Sequence, residues 1–279
     1  MQVELDVHRA LSEDVGSGDL TASLIDPQRK ARARVLSRDS AVLCGAPWVE
    51  ATVKALDPMA SLVWSVGDGG LCHANQVVLE IHGQAQALLS AERTALNFLQ
   101  MLSAVATHTA QYVSAVSGTQ AQIVDTRKTL PGLRQAQKYA VRAGGGVNHR
   151  MGLFDAILIK ENHIAAAGGI AQVLARASDV AARASFVQIE VETLEQLRTA
   201  LDAGASMILL DNMDLVTLAQ AVQLNAARGP TKAVLEVSGG VTLDSVAALA
   251  RTGVDRISVG ALTKDIKAVD FSMRFGDMA

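Results

Sequence analysis

From Gly118 onward the chain alternates short apolar runs with Ala-rich helical segments, a pattern that few architectures accept. Six runs qualify as strands: AQIVDTRK, DAILIKE, SFVQIEVE, SMILLDN, AVLEVSGG and DRISVGAL. They are apolar almost throughout rather than alternating, as strands are when a parallel sheet is covered on both faces. Segments such as GIAQVLARASDVAARA and DSVAALARTG lie between them and supply the covering helices. Regular β/α repetition predicts an α/β barrel related to the TIM architecture, with a doubly wound open sheet as its rival. No GxGxxG follows a first strand, which weakens a dinucleotide-binding reading.

The first third reads differently. Residues 1–30 suggest a helix followed by the polar stretch EDVGSGDLT. Between 31 and 89 come the β-like runs ARARVLS, AVLCG, SLVWSV and QVVLEIHG, broken by turn chemistry such as GDGG at 67–70. That predicts a small, partly antiparallel domain. Residues 90–116 then predict one long helix, with Ser90 as N-cap and Glu92 at the positive end of the dipole. Leu96, Leu99, Leu102, Ser103 and Ala106 form its buried stripe. Aromatic residues make up only 3% of the chain while hydrophobic residues reach 49%, so Ala, Val, Leu and Ile must build both cores.

The polar residues of the second region fall where strands end: Arg127 and Lys128, Lys160, Glu190 or Glu192, Asp211, Ser238-Gly239-Gly240, and Gly260. In parallel barrels these ends converge on one mouth, where the chemistry is placed. Seven Lys or Arg residues lie between Arg127 and Lys160 against one acid, Asp155. Arg134, Lys138 and Arg142 recur every four residues on a helix entered near Pro131 and stopped at Gly144, and read as a solvated stripe. Arg127, Lys128, His149, Arg150 and Lys160 flank strands or follow the Gly stop, so their repulsion calls for anions to neutralise it. The glycines at 144–146 would let backbone N–H groups approach such anions, and SGG at 238–240 with VGAL at 259–262 would bind phosphate. Glu190 and Asp211 should stay ionised among these cations, free to hold Mg²⁺, ribose hydroxyls or a developing cation. Glu190 and Glu192 share one strand face and are not ranked by sequence. Ordinary ion pairing with Lys160 is the alternative for the acids.

Several classes are excluded. A formal net charge of -3 argues against a nucleic-acid or membrane surface and makes the basic cluster local, suited to a small anionic ligand with several negative groups. Cys44 and Cys72 stand alone, without metal-ligand spacing, so a reduced cytoplasmic setting is expected. Acidic and basic residues in the first thirty positions rule out a signal-peptide apolar region, and no run approaches a membrane span. No GxSxG is present, and Ser90, Ser103 and Ser238 lack evident His/Asp partners, so nucleophilic catalysis finds little support.

DTRKT with PGLR, KYAVRAGGGVNHRMGL, ILIKENH, EVE, LLDN, EVSGG and VGALT, in this order, closely resemble the quinolinate phosphoribosyltransferases, of the type II phosphoribosyltransferase family. EDVGSGDLT and ERTALNFLQ extend the likeness across nearly the whole chain. The resemblance implies an N-terminal α/β sandwich domain over 1–104 and an incomplete TIM-like α/β barrel over 105–264, with the tail 265–279 packing back on the first domain. It implies transfer of phosphoribosyl from phosphoribosyl pyrophosphate to quinolinate with decarboxylation, Mg²⁺ as cofactor, and a homodimer or higher homo-oligomer. Arg93, contributed by the neighbouring subunit, would join Arg127, His149 and Arg150 around quinolinate. Thr126, Lys128, Lys160, Glu190, Asp211, Ser238, Gly239, Gly240 and Gly260 would serve phosphoribosyl pyrophosphate. Lys128, Lys160, Glu190 and Asp211 would be the catalytic groups, with Glu190 and Asp211 toward the metal. Two alternatives stand beside it: a homologue linked to molybdenum transport with a different acceptor, and a non-catalytic phosphate-binding protein or scaffold.

Overall fold

The computed structural model describes residues 2–276. It divides into two compact units, the boundary falling inside one long helix. The first unit comprises the residues up to Ala110, Thr129–Gly145 and the described residues from Asp265 on.

In this unit the chain runs through α1 (Gln2–Asp14), β1 (Lys30–Ser37), β2 (Ala41–Val42), α2 (Ala46–Leu56), β3 (Ser61–Trp64), β4 (Leu71–Cys72) and β5 (Val77–Gln84), then enters α3 (Ala85–Ala115). The C-terminal strand Phe271–Phe275 pairs antiparallel with β1, which pairs with β5, which pairs with β3. Along β1 the side chains of Ala31, Ala33, Val35 and Ser37 are buried while Lys30, Arg32 and Arg34 face water, the period-two pattern of a sheet with one solvated face. The buried side meets Leu88, Ala91, Ala95 and Leu99 of α3 in one core. Truncating Leu99, which is fully buried, would cost about 2–5 kcal/mol in transfer and cavity terms.

Four local expectations are corrected here. Helix α3 starts directly after β5 at Ala85, so Ser90 is no cap. Its hydroxyl instead donates to Asp19 Oδ2 (2.8 Å), while Asp19 Oδ1 accepts the N–H groups of Thr21 and Ala22. The basic helix α4 (Arg134–Ala143) belongs to the first unit rather than to the barrel. Its expected solvated stripe fails at Lys138, which has no exposed surface. The face is buried because α4 carries Ala136, Ala140 and Val141 into the packing, and Tyr139 donates to Asp68 (2.8 Å) and stacks edge-on against Trp48. Gly144, too, serves packing rather than an anion: a Cβ there would run into Ala106 O and the Thr109 side chain on α3.

The second unit holds the expected parallel strands: β6 (Gln122–Val124), β7 (Ile157–Ile159), β8 (Val187–Val191), β9 (Met207–Asp211), β10 (Val234–Ser238) and β11 (Arg256–Ser258). Their order is β6-β11-β10-β9-β8-β7, every pair parallel, so β6 and β7 remain as edges and the barrel is incomplete. A single bridge from Val147 adds to the β6 edge. Helices α5 (Glu161–Ala167), α6 (Ile170–Ser178), α7 (Leu194–Asp202), α8 (Leu215–Ala226) and α9 (Leu243–Arg251) connect β7 through β11, and the short α10 (Ala261–Lys264) follows β11. The crossovers through α7, α8 and α9 each begin with a cap just past a strand end. Thr193 accepts from Gln196 N–H, Asp214 from Thr217 N–H and Thr242 from Ser245 N–H, each satisfying a donor the first helical turn leaves free. Since all six strands run one way, their C-terminal residues share one edge of the sheet.

Candidate active site

Two cavities occupy that edge of the second unit. One, of about 180 Å³, is lined by Asp125, Thr126, Arg127, Lys128, His149 and Arg150, with Leu158, Leu209 and Glu236 among its further walls. Its volume suits a single flat ring, given that a cavity of ~150 Å³ can hold benzene. The other, about 380 Å³, is bounded by Asp211, Asn212, Ser238, Gly239, Gly240 and Gly260. Both include Thr126, Lys128, Lys160, Glu190, Ser238 and Ser258, so the two chambers meet along a shared wall. Twelve of the thirteen residues expected at a site therefore line one chamber or the other. The exception is Arg93, exposed on α3 in the first unit.

The smaller chamber is built around a carboxylate the sequence reading passed over. Asp125, fully buried at the end of β6, accepts the backbone N–H of His149 (2.9 Å) and the side-chain amide of Asn148 (2.6 Å). It thereby ties GGGVNHR to DTRK, and the Val147–Val124 bridge adds a backbone link. Asp155 then closes the turn after Arg150 by accepting from Met151 N–H (2.6 Å) and Gly152 N–H (2.8 Å). Arg150 is itself buried, and burial together with the Arg127 charge holds its guanidinium below the ordinary value, opposed by Asp155. A buried Arg150 and an exposed Arg127 lining the same chamber form a receptor for carboxylate, which each guanidinium can grip with two hydrogen bonds.

His149 is placed less simply. Its Nδ1 accepts the Arg150 backbone N–H (2.8 Å), so the ring proton sits on Nε2 and is donated to Gln188 Oε1 (2.7 Å). The ring also stands edge-on to Phe186.

At the larger chamber the cations are exposed. Lys160 Nζ donates to Glu190 Oε2 at 2.7 Å, a pair that contributes little stability but leaves both groups available to a ligand. Glu192 is outside both chambers and accepts nothing there; its backbone N–H is taken by Gln196, which ranks Glu190 over Glu192. Lys128 is steadied from two sides, its N–H donating to Thr126 Oγ1 and its carbonyl accepting from Thr263. Gly260 lets its stem lie flat, since a Cβ would come within 3.0 Å of Lys128 Cδ. Lys160 is fixed by α5, where its N–H donates to His163 Nδ1 (3.0 Å) in the manner of a capping box.

The glycine pair is dictated by backbone. Gly239 (φ +105) and Gly240 (φ +55) adopt left-handed conformations, and a Cβ on Gly239 would overlap the Asn212 amide. Asn212 is itself left-handed (φ 52), donates from its backbone to Ser238 O (3.1 Å), and donates from Nδ2 to Asp211 Oδ2 (2.9 Å). Asp211 corrects an expectation. Burial and the Glu190 charge push its carboxyl above the ordinary range, outweighing Lys160 and Lys128. Two acids on neighbouring strand ends compete for the same cations.

Comparison with known proteins identifies the family. Residues 105–274 match the family model "Quinolinate phosphoribosyl transferase, C-terminal domain", and residues 19–103 match the corresponding N-terminal domain. The "Probable nicotinate-nucleotide pyrophosphorylase [carboxylating]" of Bacillus subtilis is 43% identical over 261 residues, covering 94% of this chain and 89% of that protein. The "Nicotinate-nucleotide pyrophosphorylase [carboxylating]" of Mycobacterium leprae is 42% identical, covering 96% and 95%. The solved structure of the nicotinate-nucleotide pyrophosphorylase from Francisella tularensis superposes with a TM-score of 0.92 at 42% identity, over 99% of this chain and 96% of that one. With both domain models matched in order and such likeness along almost its whole length, the chain belongs to the quinolinate phosphoribosyltransferase family.

Proposed function

We propose that this chain transfers the phosphoribosyl group of phosphoribosyl pyrophosphate to quinolinate, releasing pyrophosphate and CO₂ and leaving nicotinate mononucleotide. The observation that carries the reading is the pair of chambers with a shared wall: a ring-sized, arginine-lined pocket opening onto a polar, glycine-bordered mouth.

Quinolinate enters the smaller chamber with its carboxylates on Arg127 and Arg150 and its ring between Leu158 and Leu209. The phosphoribosyl donor fills the larger one, its phosphates on Ser238, Gly239, Gly240 and Gly260 and its charge met by Lys128 and Lys160. The ring nitrogen forms a bond to ribose C1 as the C1–O bond to pyrophosphate breaks. Positive charge develops on the ribose in passing, as in glycoside cleavage, and Glu190 on the shared wall stabilises it. The resulting pyridinium draws electrons from C2, whose bond to its carboxylate breaks to give CO₂, and C2 takes up a proton. No covalent enzyme intermediate is involved.

Glu190 and Asp211 fit Mg²⁺ carried in on the donor. Among the described residues no group of three or more His, Cys, Asp or Glu is assembled for a metal, and Mg²⁺ characteristically takes one or two carboxylates and completes its shell with water and phosphate oxygens. When bound, the ion neutralises charge on the departing pyrophosphate. Two copies complete each other's sites, with Arg93 of one chain reaching the acceptor of the other; the exposure of Arg93 on α3 supports this. Both cysteines are free and buried and no helix among the described residues is long and apolar enough to cross a membrane, which supports a reducing, cytoplasmic setting.

The test combines protein, Mg²⁺, phosphoribosyl pyrophosphate and quinolinate and follows nicotinate mononucleotide and CO₂. Turnover with nicotinate but none with quinolinate would replace this reading with a different transferase. Arg93→Ala should be inactive alone, and mixing it with inactive Lys128→Ala should restore activity after subunit exchange. Absence of complementation after verified exchange would refute the shared site.

A further inference from the structure

Below the arginines the acceptor chamber has an acidic floor. Glu236, in the middle of β10, is fully buried and yet lines the cavity. A buried carboxylate facing a receptor for a dianion is costly unless something fixes its charge and puts it to use. Arg256, its registered neighbour on β11, supplies the first, with Nε 3.1 Å from Glu236 Oε2. On the other side Glu236 Oε1 lies 3.6 Å from His149 Nε2, the nitrogen that carries the ring proton.

Gln188 stands in the same group. Its Oε1 accepts the His149 proton, and its own Nε2 is buried without a hydrogen-bond partner, as are both Glu236 oxygens. The trio therefore has two possible settings. In the observed one, His149 donates from Nε2 and accepts from the Arg150 backbone at Nδ1. In the other, Gln188 would turn its free amide donor toward an unprotonated Nε2, and the proton would move to Nδ1, where it would collide with the Arg150 N–H. That second setting would release the Arg150 backbone and point an imidazole lone pair at the Glu236 carboxylate.

We propose that Glu236 is a positioning residue for the acceptor pocket: its carboxylate holds His149 in the Nε2–H tautomer and, through Nδ1, keeps Arg150 aimed at the acceptor. Glu236 does not touch the reacting atoms. Its negative charge disfavours the lone pair on Nε2, and Arg256 keeps that charge from repelling the incoming dicarboxylate. Four residues on four segments, Glu236, Arg256, Gln188 and His149, thus form one device beneath the arginines.

The proposal rests on the quinolinate reading for its kinetic arm and is independent of it in its spectroscopic arm. Nitrogen-15 spectra of histidine-labelled protein without ligand should show His149 as the pure Nε2–H tautomer, and Glu236→Gln should mix in the other form. In steady-state kinetics Glu236→Gln should raise KM for quinolinate roughly tenfold, the loss of one charge-assisted interaction, with KM for phosphoribosyl pyrophosphate within about twofold. Because Glu236→Gln leaves Arg256 buried without its counter-charge, Glu236→Gln with Arg256→Met serves as the second variant and should reproduce the same KM shift. In a His149→Phe background the Glu236→Gln effect on KM should vanish, as expected for residues acting through one another. An unchanged tautomer in both Glu236 variants, or a KM penalty that persists without His149, overturns the proposal. A wild-type protein inactive on quinolinate but with the tautomer responding as described would instead overturn the acceptor assignment and leave the positioning role standing.

Discussion

The two chambers obtain their charge in opposite ways. In the acceptor pocket the floor and one wall are buried and already engaged: Asp125 with the His149 and Asn148 amides, His149 with Gln188 and Arg150, Glu236 ion-paired with Arg256. In the phosphate mouth Lys128, Lys160, Gly239 and Gly240 are exposed, and the order resides in backbone conformation. The difference follows from the ligands each is suited to hold. A flat dianion needs two directional grips in fixed places, which only a pre-paired interior can supply. A flexible chain of phosphates needs N–H groups and diffuse positive charge, which a left-handed turn and exposed lysines provide at less desolvation cost.

Changing the mouth at its backbone should give the largest effect. Gly239→Ala places a methyl against the Asn212 amide at a φ that L residues rarely adopt. It should lower kcat/KM for phosphoribosyl pyrophosphate by more than about 100-fold, a strain of the size associated with forbidden backbone regions plus displaced phosphate donors. Quinolinate binding, measured by calorimetry without the donor, should change less than about threefold. Equal loss on both substrates would mean that the chambers are not separately built.

Breaking the interior half should act on folding as well as on binding. Asp125→Ala leaves the buried His149 N–H and the half-buried Asn148 amide without their acceptor, at about 1–3 kcal/mol for the buried donor and less for the other. Thermal unfolding should fall by roughly 5–15 °C, and KM for quinolinate should rise more than KM for the donor. A variant with normal Tm would show that the carboxylate does not splice the two segments together.

Much of this was legible because parallel strands advertise themselves. All six apolar runs became strands, and their polar ends met on one edge because strand direction leaves no other outcome. What escaped were polar groups inside apolar runs. Glu236 in AVLEVSGG, Arg256 in DRISVGAL and Gln188 in SFVQIEVE interrupt otherwise hydrophobic strands, and such interruptions signal polar groups drawn together inside the sheet. Periodicity alone misjudged Lys138, since spacing says which residues share a face and not whether that face is covered. The role of Gly144 was hidden for the same reason: only the position of Ala106 and Thr109 decides it. Asn212 carried no readable signal, as a left-handed Asn looks like any turn residue until its φ is known.

The smallest effect sharpens the contrast from the side of stability. Asp211 sits at the mouth with its carboxyl held above the ordinary range, first by burial and then by the Glu190 charge. A carboxyl raised in the folded state binds its proton more readily there than in the unfolded chain, so its ionised form costs stability at every pH above the raised value. Asp211→Asn should therefore raise Tm at pH 7.5 in metal-free buffer, by about 2 °C, while activity is lost. As pH falls through the folded-state value the gain should shrink, and below the ordinary carboxylate range it should disappear, because wild-type Asp211 is then protonated in both states. The same scan on Asp125→Asn should show a loss of stability rather than a gain, since that carboxylate is matched by its donors. A destabilising Asp211→Asn, or a gain that does not vary with pH, would mean that the mouth is as fully paired as the interior and that the two chambers do not differ in kind.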